Sequence, residues 1–224
     1  MKELEDYAWF PAVFRRFQMD FIGYVVTKFN FYDVFIQHLQ KKENTSMPMF
    51  DLCSGSGEPA LTIFKESARF SSLTLSDKFP SSSKIQELDV LNMTFEKGQC
   101  YTMFNALHHF TDEEKISILT NIKASGAKAY FVEILEPNFL FILKVCALTL
   151  VLNLFITPFI RPSSLSRLFF TYIIPINLIS ITYDGVVSVL KSRSLKQYQQ
   201  ILPAGIDVYH LKKRLSSLVV IEVK

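Results

Sequence analysis

Glycine is scarce in this chain, 7 of 224 residues against 21 phenylalanines. Places where the backbone can take unusual φ values or approach a ligand closely are therefore few, and paired glycines stand out. Cysteine is scarce too: Cys53, Cys100 and Cys146 are scattered and odd in number. That favours reduced thiols in a cytosolic setting over a disulfide framework. No pair of them has metal-ligand spacing. The formal charge is only +3, and no Lys/Arg block with interleaved aromatics is present, so no nucleic-acid partner is expected. The start, Met1-Lys2-Glu3-Leu4-Glu5-Asp6, is charged and lacks an apolar signal-peptide core, so the expected location is cytoplasmic. What the chain has in excess is apolar surface: 49% hydrophobic residues and a mean hydropathy of +0.21.

The length fits one sizeable domain. Within it, residues 1–45 are expected to form a helical cover, 48–137 a binding core, 138–202 an apolar helical insertion and 203–224 a strand hairpin. The core is organised around Met49-Phe50-Asp51-Leu52-Cys53-Ser54-Gly55-Ser56-Gly57-Glu58-Pro59-Ala60. A short apolar run ends in an acid, passes a Ser/Gly turn and opens into Ala60-Leu61-Thr62-Ile63-Phe64. That is a strand, a tight turn and a helix start, the first unit of a nucleotide-type binding fold. A phosphate-binding loop would close with Gly-Lys-Ser/Thr, and no such lysine follows Gly57. The dinucleotide form needs a third glycine where Ala60 stands.

Ahead of this unit, Phe14, Phe17, Phe21 and Tyr24 recur at helical spacing, which predicts one or two helices over 11–42 ending in the polar link Lys41-Lys42-Glu43-Asn44. Tyr7, Trp9 and Phe10 precede the first helix, either as part of this cover or as a lid over a substrate. Behind the unit, Leu73 to Asp77 predicts a short strand ending in an acid. Asp77 is placed either to cap the turn Lys78-Phe79-Pro80 or to accept two ribose hydroxyls, which one ionised carboxylate can do. Ile85 to Val90 predicts a third strand, with Asp89 near its end. Cys100 to Phe110 predicts a fourth strand entering a loop, and Thr111 with Glu114 makes a capping box for the next helix. The adjacent His108 and His109 invite a metal reading, but no third ligand is evident from the sequence, so no metal is expected. Either histidine has the chemistry of a general base. Ala127 to Pro137 predicts a fifth strand.

In combination these stretches resemble the class I S-adenosylmethionine-dependent methyltransferases over residues 48–137. The acid and Gly-x-Gly turn at Asp51 to Gly57 resembles that family's motif I, with Cys53 where its first glycine usually stands. The Asn105-Ala106-Leu107-His108-His109-Phe110 stretch resembles motif IV. The resemblance implies a Rossmann-like α/β fold with a seven-stranded, doubly wound sheet. It also implies S-adenosylmethionine as cofactor, held by Asp51, Cys53, Ser54, Gly55, Ser56 and Gly57. Asp77, with Lys78 and Phe79, would lie at its ribose, and Asp89 and Val90 at its adenine. Asn105, Ala106, Leu107 and His108 would bound the reaction centre, and Glu136 the substrate side of the fifth strand. Two rivals stay open: a non-catalytic binding protein of the same fold, and a nicotinamide-dependent oxidoreductase.

The insertion is the least ordinary stretch. Phe139 to Ile160 contains a single charge, Lys144, and at about 1.5 Å per residue it could span a bilayer core. A single crossing would strand the last two predicted strands, Ile206 to Lys213 and Ser217 to Lys224, on the far side. The segment therefore covers the sheet, lines an apolar pocket, or lies on the inner face of a membrane. Its few polar residues, Asn138, Cys146, Thr149, Asn153 and Thr157, share one helical face. Further on, Asp184-Gly185 breaks the apolar pattern, as a plain turn or as an acceptor-binding or catalytic site at Asp184, with Tyr183 and Arg193 beside it. The acceptor is expected to be small and apolar or lipid-like.

Overall fold

The computed structural model describes residues 1–42, 46–213 and 216–224. Seven strands form one sheet: β1 (Met47–Leu52), β2 (Phe70–Asp77), β3 (Gln86–Glu87), β4 (Cys100–Phe104), β5 (Lys128–Glu133), β6 (Asp207–Lys213) and β7 (Ser216–Val223). Their order is β3-β2-β1-β4-β5-β7-β6. The first five are mutually parallel, and β7 runs antiparallel to both β5 and β6. All of β4 and nearly all of β5 is buried, as strands covered on both faces should be. This is the expected doubly wound α/β sheet.

Helices cover both faces. On one lie α4 (Asp112–Ser125) and α9 (Leu195–Ile201), which bring Ile118, Leu119, Ile122 and Tyr198 against Leu52, Met103 and Phe131. On the other, α1 (Ala12–Lys28), α2 (Asp33–Lys41) and α3 (Ala60–Ser67) bring Val26, Phe35, Leu39 and Ile63 against Met49 and Val132. The capping box at Thr111 and Glu114 forms as the sequence specifies. Glu43 and Asn44 of the expected polar link, and the turn between β6 and β7, lie outside the described residues.

The insertion begins at α5 (Phe139–Cys146) and continues through the π-helical stretch Ala147–Leu152 into α6 (Asn153–Ile156), one helical run from Phe139 to Phe159. α7 (Leu165–Tyr172) and α8 (Ile176–Lys191) follow, bent by 77° at their junction around Pro175. The insertion is docked on α1 through Phe21, Val25, Ile156, Ile160 and Ile181. Arg167 locks this contact: it donates to Asp20 Oδ2 at 2.8 Å and to the carbonyls of Ile160 and Pro162, both at 2.7 Å, while almost wholly buried.

Three expectations need correction. The third strand is only Gln86–Glu87, because the Asp89 carboxylate accepts the Leu91 amide at 3.1 Å and winds the chain into a 3-10 turn over Val90–Asn92. β5 ends at Glu133, short of Pro137, because the Ile134 amide leaves the ladder for Asn105 Oδ1, 3.3 Å away. Asp184-Gly185 is no turn at all but lies inside α8. The glycine is there for packing, since a Cβ on Gly185 would stand 2.7 Å from Val145 Cγ1, where α8 crosses α5.

Candidate active site

The strand order reverses direction between β1 and β4, and in open α/β sheets a ligand crevice lies outside the carboxyl ends of the strands at such a point. The turn after β1 is built by backbone conformation first. Cys53, Gly55 and Gly57 all take positive φ (56°, 57° and 95°). For Cys53 this costs on the order of 1 kcal/mol, which a glycine would avoid. Ser54 then ties the turn to the sheet: its amide donates to the Ser76 carbonyl at 2.8 Å, and its hydroxyl donates to the Asp51 carbonyl at 3.1 Å and accepts the Ser76 amide at 3.1 Å. Asp51 sits beneath, buried, with Oδ1 accepting from Thr102 Oγ1 at 2.6 Å. Burial pushes its pKa up to about 7, against the pull of the Thr102 and Ser54 hydrogen bonds.

Asp77, at the end of β2, accepts the Gly55 amide on Oδ2 at 2.9 Å and the Phe79 amide on Oδ1 at 2.8 Å. A carboxylate has about four acceptor positions, so both oxygens keep capacity for donors from the cavity they line. Asp77 therefore caps the following turn and also presents an acceptor to the crevice. Asp89 turns elsewhere: it pairs with Lys78 Nζ at 2.7 Å and faces a smaller neighbouring groove lined by Phe50, Leu88 and Tyr101.

The second wall comes from β4. Asn105 takes φ 51°, a conformation asparagine tolerates better than most residues, and its amide donates to the Val132 carbonyl at 2.8 Å. The chain then makes a single 3-10 turn, Leu107–His109. Glu133, 1% exposed at the end of β5, organises it. Glu133 Oε1 accepts the Leu107 amide at 2.8 Å, and Oε2 holds His108 Nδ1 at 2.9 Å. Since a carboxylate only accepts, His108 donates from Nδ1 in this contact, which leaves Nε2 as the nitrogen not held by Glu133.

The third wall is the N-terminal segment. Met1, Lys2, Glu5 and Asp6 line the cavity, and the segment is pinned there by Asp184, which accepts the amides of Leu4 (2.6 Å) and Glu5 (3.2 Å) and the side chain of Gln18 (3.1 Å). His109 closes the seam, with Nδ1 on Asp6 Oδ1 at 3.0 Å and Nε2 at 3.5 Å from Glu3 and 3.6 Å from Glu5. Burial alone would lower the His109 pKa, but Glu3, Asp6 and Glu5 outweigh it and raise it to about 9. Burial in turn raises Glu5 to about 8, partly offset by His109.

These walls enclose a cavity of about 940 Å³, within the usual size range for small-molecule and cofactor sites. Of the sequence-derived candidates, Cys53, Ser54, Gly55, Ser56, Asp77, Lys78, Phe79, Asn105, Ala106, His108 and His109 line it together. Asp51 and Leu107 support it from behind. Asp89, Val90, Glu136 and Tyr183 are not among its lining residues, and neither are Tyr7 and Trp9, which stack on each other with Trp9 67% exposed. Asp184 acts on the site from outside, by holding the segment that closes it.

No family model and no curated protein sequence matches the chain. Solved structures do match. The plantazolicin methyltransferase BpumL in complex with SAH aligns over 95% of this chain and 96% of its own at 14% identity, with a TM-score of 0.53. The mitomycin 7-O-methyltransferase MmcR aligns over 85% of this chain at 14% identity and a TM-score of 0.51. The pyocyanin biosynthetic protein PhzM aligns over 89% at 11% identity and a TM-score of 0.50. The chain spans about half the length of MmcR and PhzM, 52% and 56%.

The chain shares its fold with these solved structures. On a methyltransferase fold, the crevice between the β1 turn and the β4 turn is where the sheet topology puts a ligand, and the cavity found here is that crevice. Sequence reasoning missed Glu133 as the residue that fixes the β4 turn, although a charge in the buried run Tyr130-Phe131-Val132-Glu133 is a visible signal. It also missed Glu3, Glu5 and Asp6, whose role depends on where the N-terminal segment lands and leaves no local pattern.

Proposed function

We propose that this chain is an enzyme that transfers a methyl group from S-adenosylmethionine to a small, apolar or lipid-like acceptor at a membrane surface. The observation that carries the cofactor reading is Asp77, an acid with open acceptor capacity beside a positive-φ turn at the switch point of a methyltransferase fold. In this reading Asp77 takes the ribose hydroxyls, Cys53 to Gly57 cradle the amino-acid end, and Asn105 to His108 bound the sulfonium methyl. BpumL, of the same fold, was solved with SAH, which supports the choice of cofactor. Reaction would be in-line displacement at the methyl carbon, driven by alignment of acceptor and sulfonium in a closed space. If the acceptor arrives protonated, His108 Nε2, the ring nitrogen not held by Glu133, is the atom to take the proton, and His109 is held protonated at neutral pH.

The acceptor reading rests on the insertion. Along Phe139–Phe159 the mean hydropathy of the most apolar window is 2.5, yet only 17% of it is buried. The polar residues point inward: Thr149, Asn153 and Thr157 are buried, Thr182 Oγ1 donates to Thr149 Oγ1 at 2.8 Å, and Thr157 Oγ1 donates to Asn153 Oδ1 at 2.7 Å. Phe139, Leu140, Val151, Phe155 and Phe159 point outward, joined by Leu165, Ile173 and Ile179. A helix that is polar inside and apolar outside suits contact with lipid rather than water. Pro137 and Leu190 line the cavity at the edge of this apolar surface, so a lipid-dissolved acceptor would have a short path in.

The test is to incubate the protein with methyl-labelled S-adenosylmethionine and a total membrane lipid extract. Label in an organic-soluble product is the expected outcome. Binding of the cofactor with label only in water-soluble products would overturn the apolar acceptor, and absence of cofactor binding would overturn the whole reading.

A further inference from the structure

Where the β4 turn meets the N-terminal segment lies a group that the histidine pair alone does not announce. Glu3, His108 and His109 each offer a ligand atom, and these atoms lie within 4.8 Å of one another. Glu3 comes from the far end of the sequence, so the third ligand could not be read locally. Both histidines are oriented in the same way: the Nδ1 of His108 is held by Glu133 at 2.9 Å and that of His109 by Asp6 at 3.0 Å. A carboxylate on one ring nitrogen, leaving the other for a metal, is the usual outer shell of a metal-binding histidine.

From this arrangement we infer a binding site for a divalent transition-metal ion of the zinc type, with His108 Nε2, His109 Nε2 and the Glu3 carboxylate as ligands; the ion would displace the proton of His109 and occupy the His108 nitrogen otherwise open to an acceptor proton. Ligand atoms around a tetrahedral zinc ion, with bonds of about 2.1 Å, stand about 3.4 Å apart. Glu3 Oε2 and His109 Nε2 are already 3.5 Å apart, and His108, within 4.8 Å of both, would have to move in to close the set. Two imidazoles and one carboxylate form a donor set that suits zinc or iron(II) and disfavours magnesium or calcium, which prefer all-oxygen shells. Glu5 Oε1, 3.6 Å from His109 Nε2, is placed to supply a fourth oxygen. Lys191 Nζ, 3.1 Å from Glu3 Oε1 and 3.7 Å from Asp6 Oδ2, supplies positive charge to this carboxylate group here. With a divalent ion on Glu3, it would keep Asp6 as its partner. His108, His109 and Glu5 all line the cavity, so the ion would face it. The site stands on the geometry of these side chains and not on the identity of the cofactor.

Zinc binding to chelator-stripped protein tests this by calorimetry, with cobalt(II) absorption as a second readout of coordination. One equivalent is expected per chain. Glu3→Gln, His108→Asn and His109→Asn should each weaken it by about tenfold or more, while His210→Asn, on β6, leaves it unchanged. Urea midpoints of each variant show which are folded, and Glu3→Gln guards against His108→Asn disrupting the core. Failure to bind zinc, or an equivalent whose affinity is the same in folded Glu3→Gln and His109→Asn, would overturn the inference. Titration of the same samples with S-adenosylhomocysteine reports on the cofactor site separately.

Discussion

In α4, Ile118, Leu119 and Ile122 are buried against the sheet while Glu113, Ser117 and Thr120 face water. Along Phe139–Phe159 the pattern is inverted: Thr149, Asn153 and Thr157 are buried, and Phe155, 68% exposed, stands with Phe139 and Phe159 on the outside. The same chain thus builds two kinds of surface. The sheet and its covering helices obey the rule for a water-soluble domain, with apolar residues inward. The insertion turns Thr149, Asn153 and Thr157 inward, Thr149 onto Thr182 of α8 and Thr157 onto Asn153, and presents hydrocarbon outward, which is favourable only where water is displaced from that face. The contrast teaches that the fold and the acceptor reading rest on different physics, and each can be broken without the other.

The largest effect should come from cutting the tie between the two regions. Arg167→Leu leaves Asp20 without its buried partner and frees two carbonyls, and removal of one member of such a pair costs about 3–5 kcal/mol. Urea unfolding should report that loss. The next largest is a pH effect in the segment that closes the cavity. The folded pKa of His109 is raised from 6.5 to about 9, so its contribution is fully present below its ordinary value and is lost as pH rises through about 9. Stability should fall by on the order of 2 kcal/mol between about pH 7 and pH 10. His109→Asn should flatten that part of the curve, whereas the parallel losses from the raised Asp51 and Glu5 persist at lower pH. Within the core, Thr111→Ala should cost about 1 kcal/mol by removing the cap of α4. The smallest stability change, within about 0.5 kcal/mol, is expected for Phe155→Ser on the outer face. That variant should nonetheless sediment less with phospholipid vesicles than the parent chain. Equal sedimentation of both would count against lipid contact.

The sequence carried most of the core because its signals are local. The turn from Asp51 to Gly57, the acid ending β2 and the Thr111 capping box each depend on neighbours within a few residues. What it could not carry depends on where distant segments meet. Gly185 reads as a turn residue until α5 is known to cross above it, 2.7 Å from the Cβ it lacks. Asp184 reads as an acceptor site until Leu4 and Glu5 are found bound to it. Glu3 carries no signal of its own, and its place beside His109 follows from where Asp184 holds Leu4 and Glu5 against the cavity. The polar stripe of the insertion was legible on a helical wheel, but which way it faces is decided by α8.

Whether the crevice between the β1 and β4 turns holds S-adenosylmethionine through Asp77 is decided by calorimetric titration. S-adenosylmethionine and S-adenosylhomocysteine should both bind with one site per chain, Asp77→Ala should weaken both by about tenfold or more, and NADH should give no signal. Binding of NADH in place of the two, or their undiminished binding to Asp77→Ala, would contradict that binding mode.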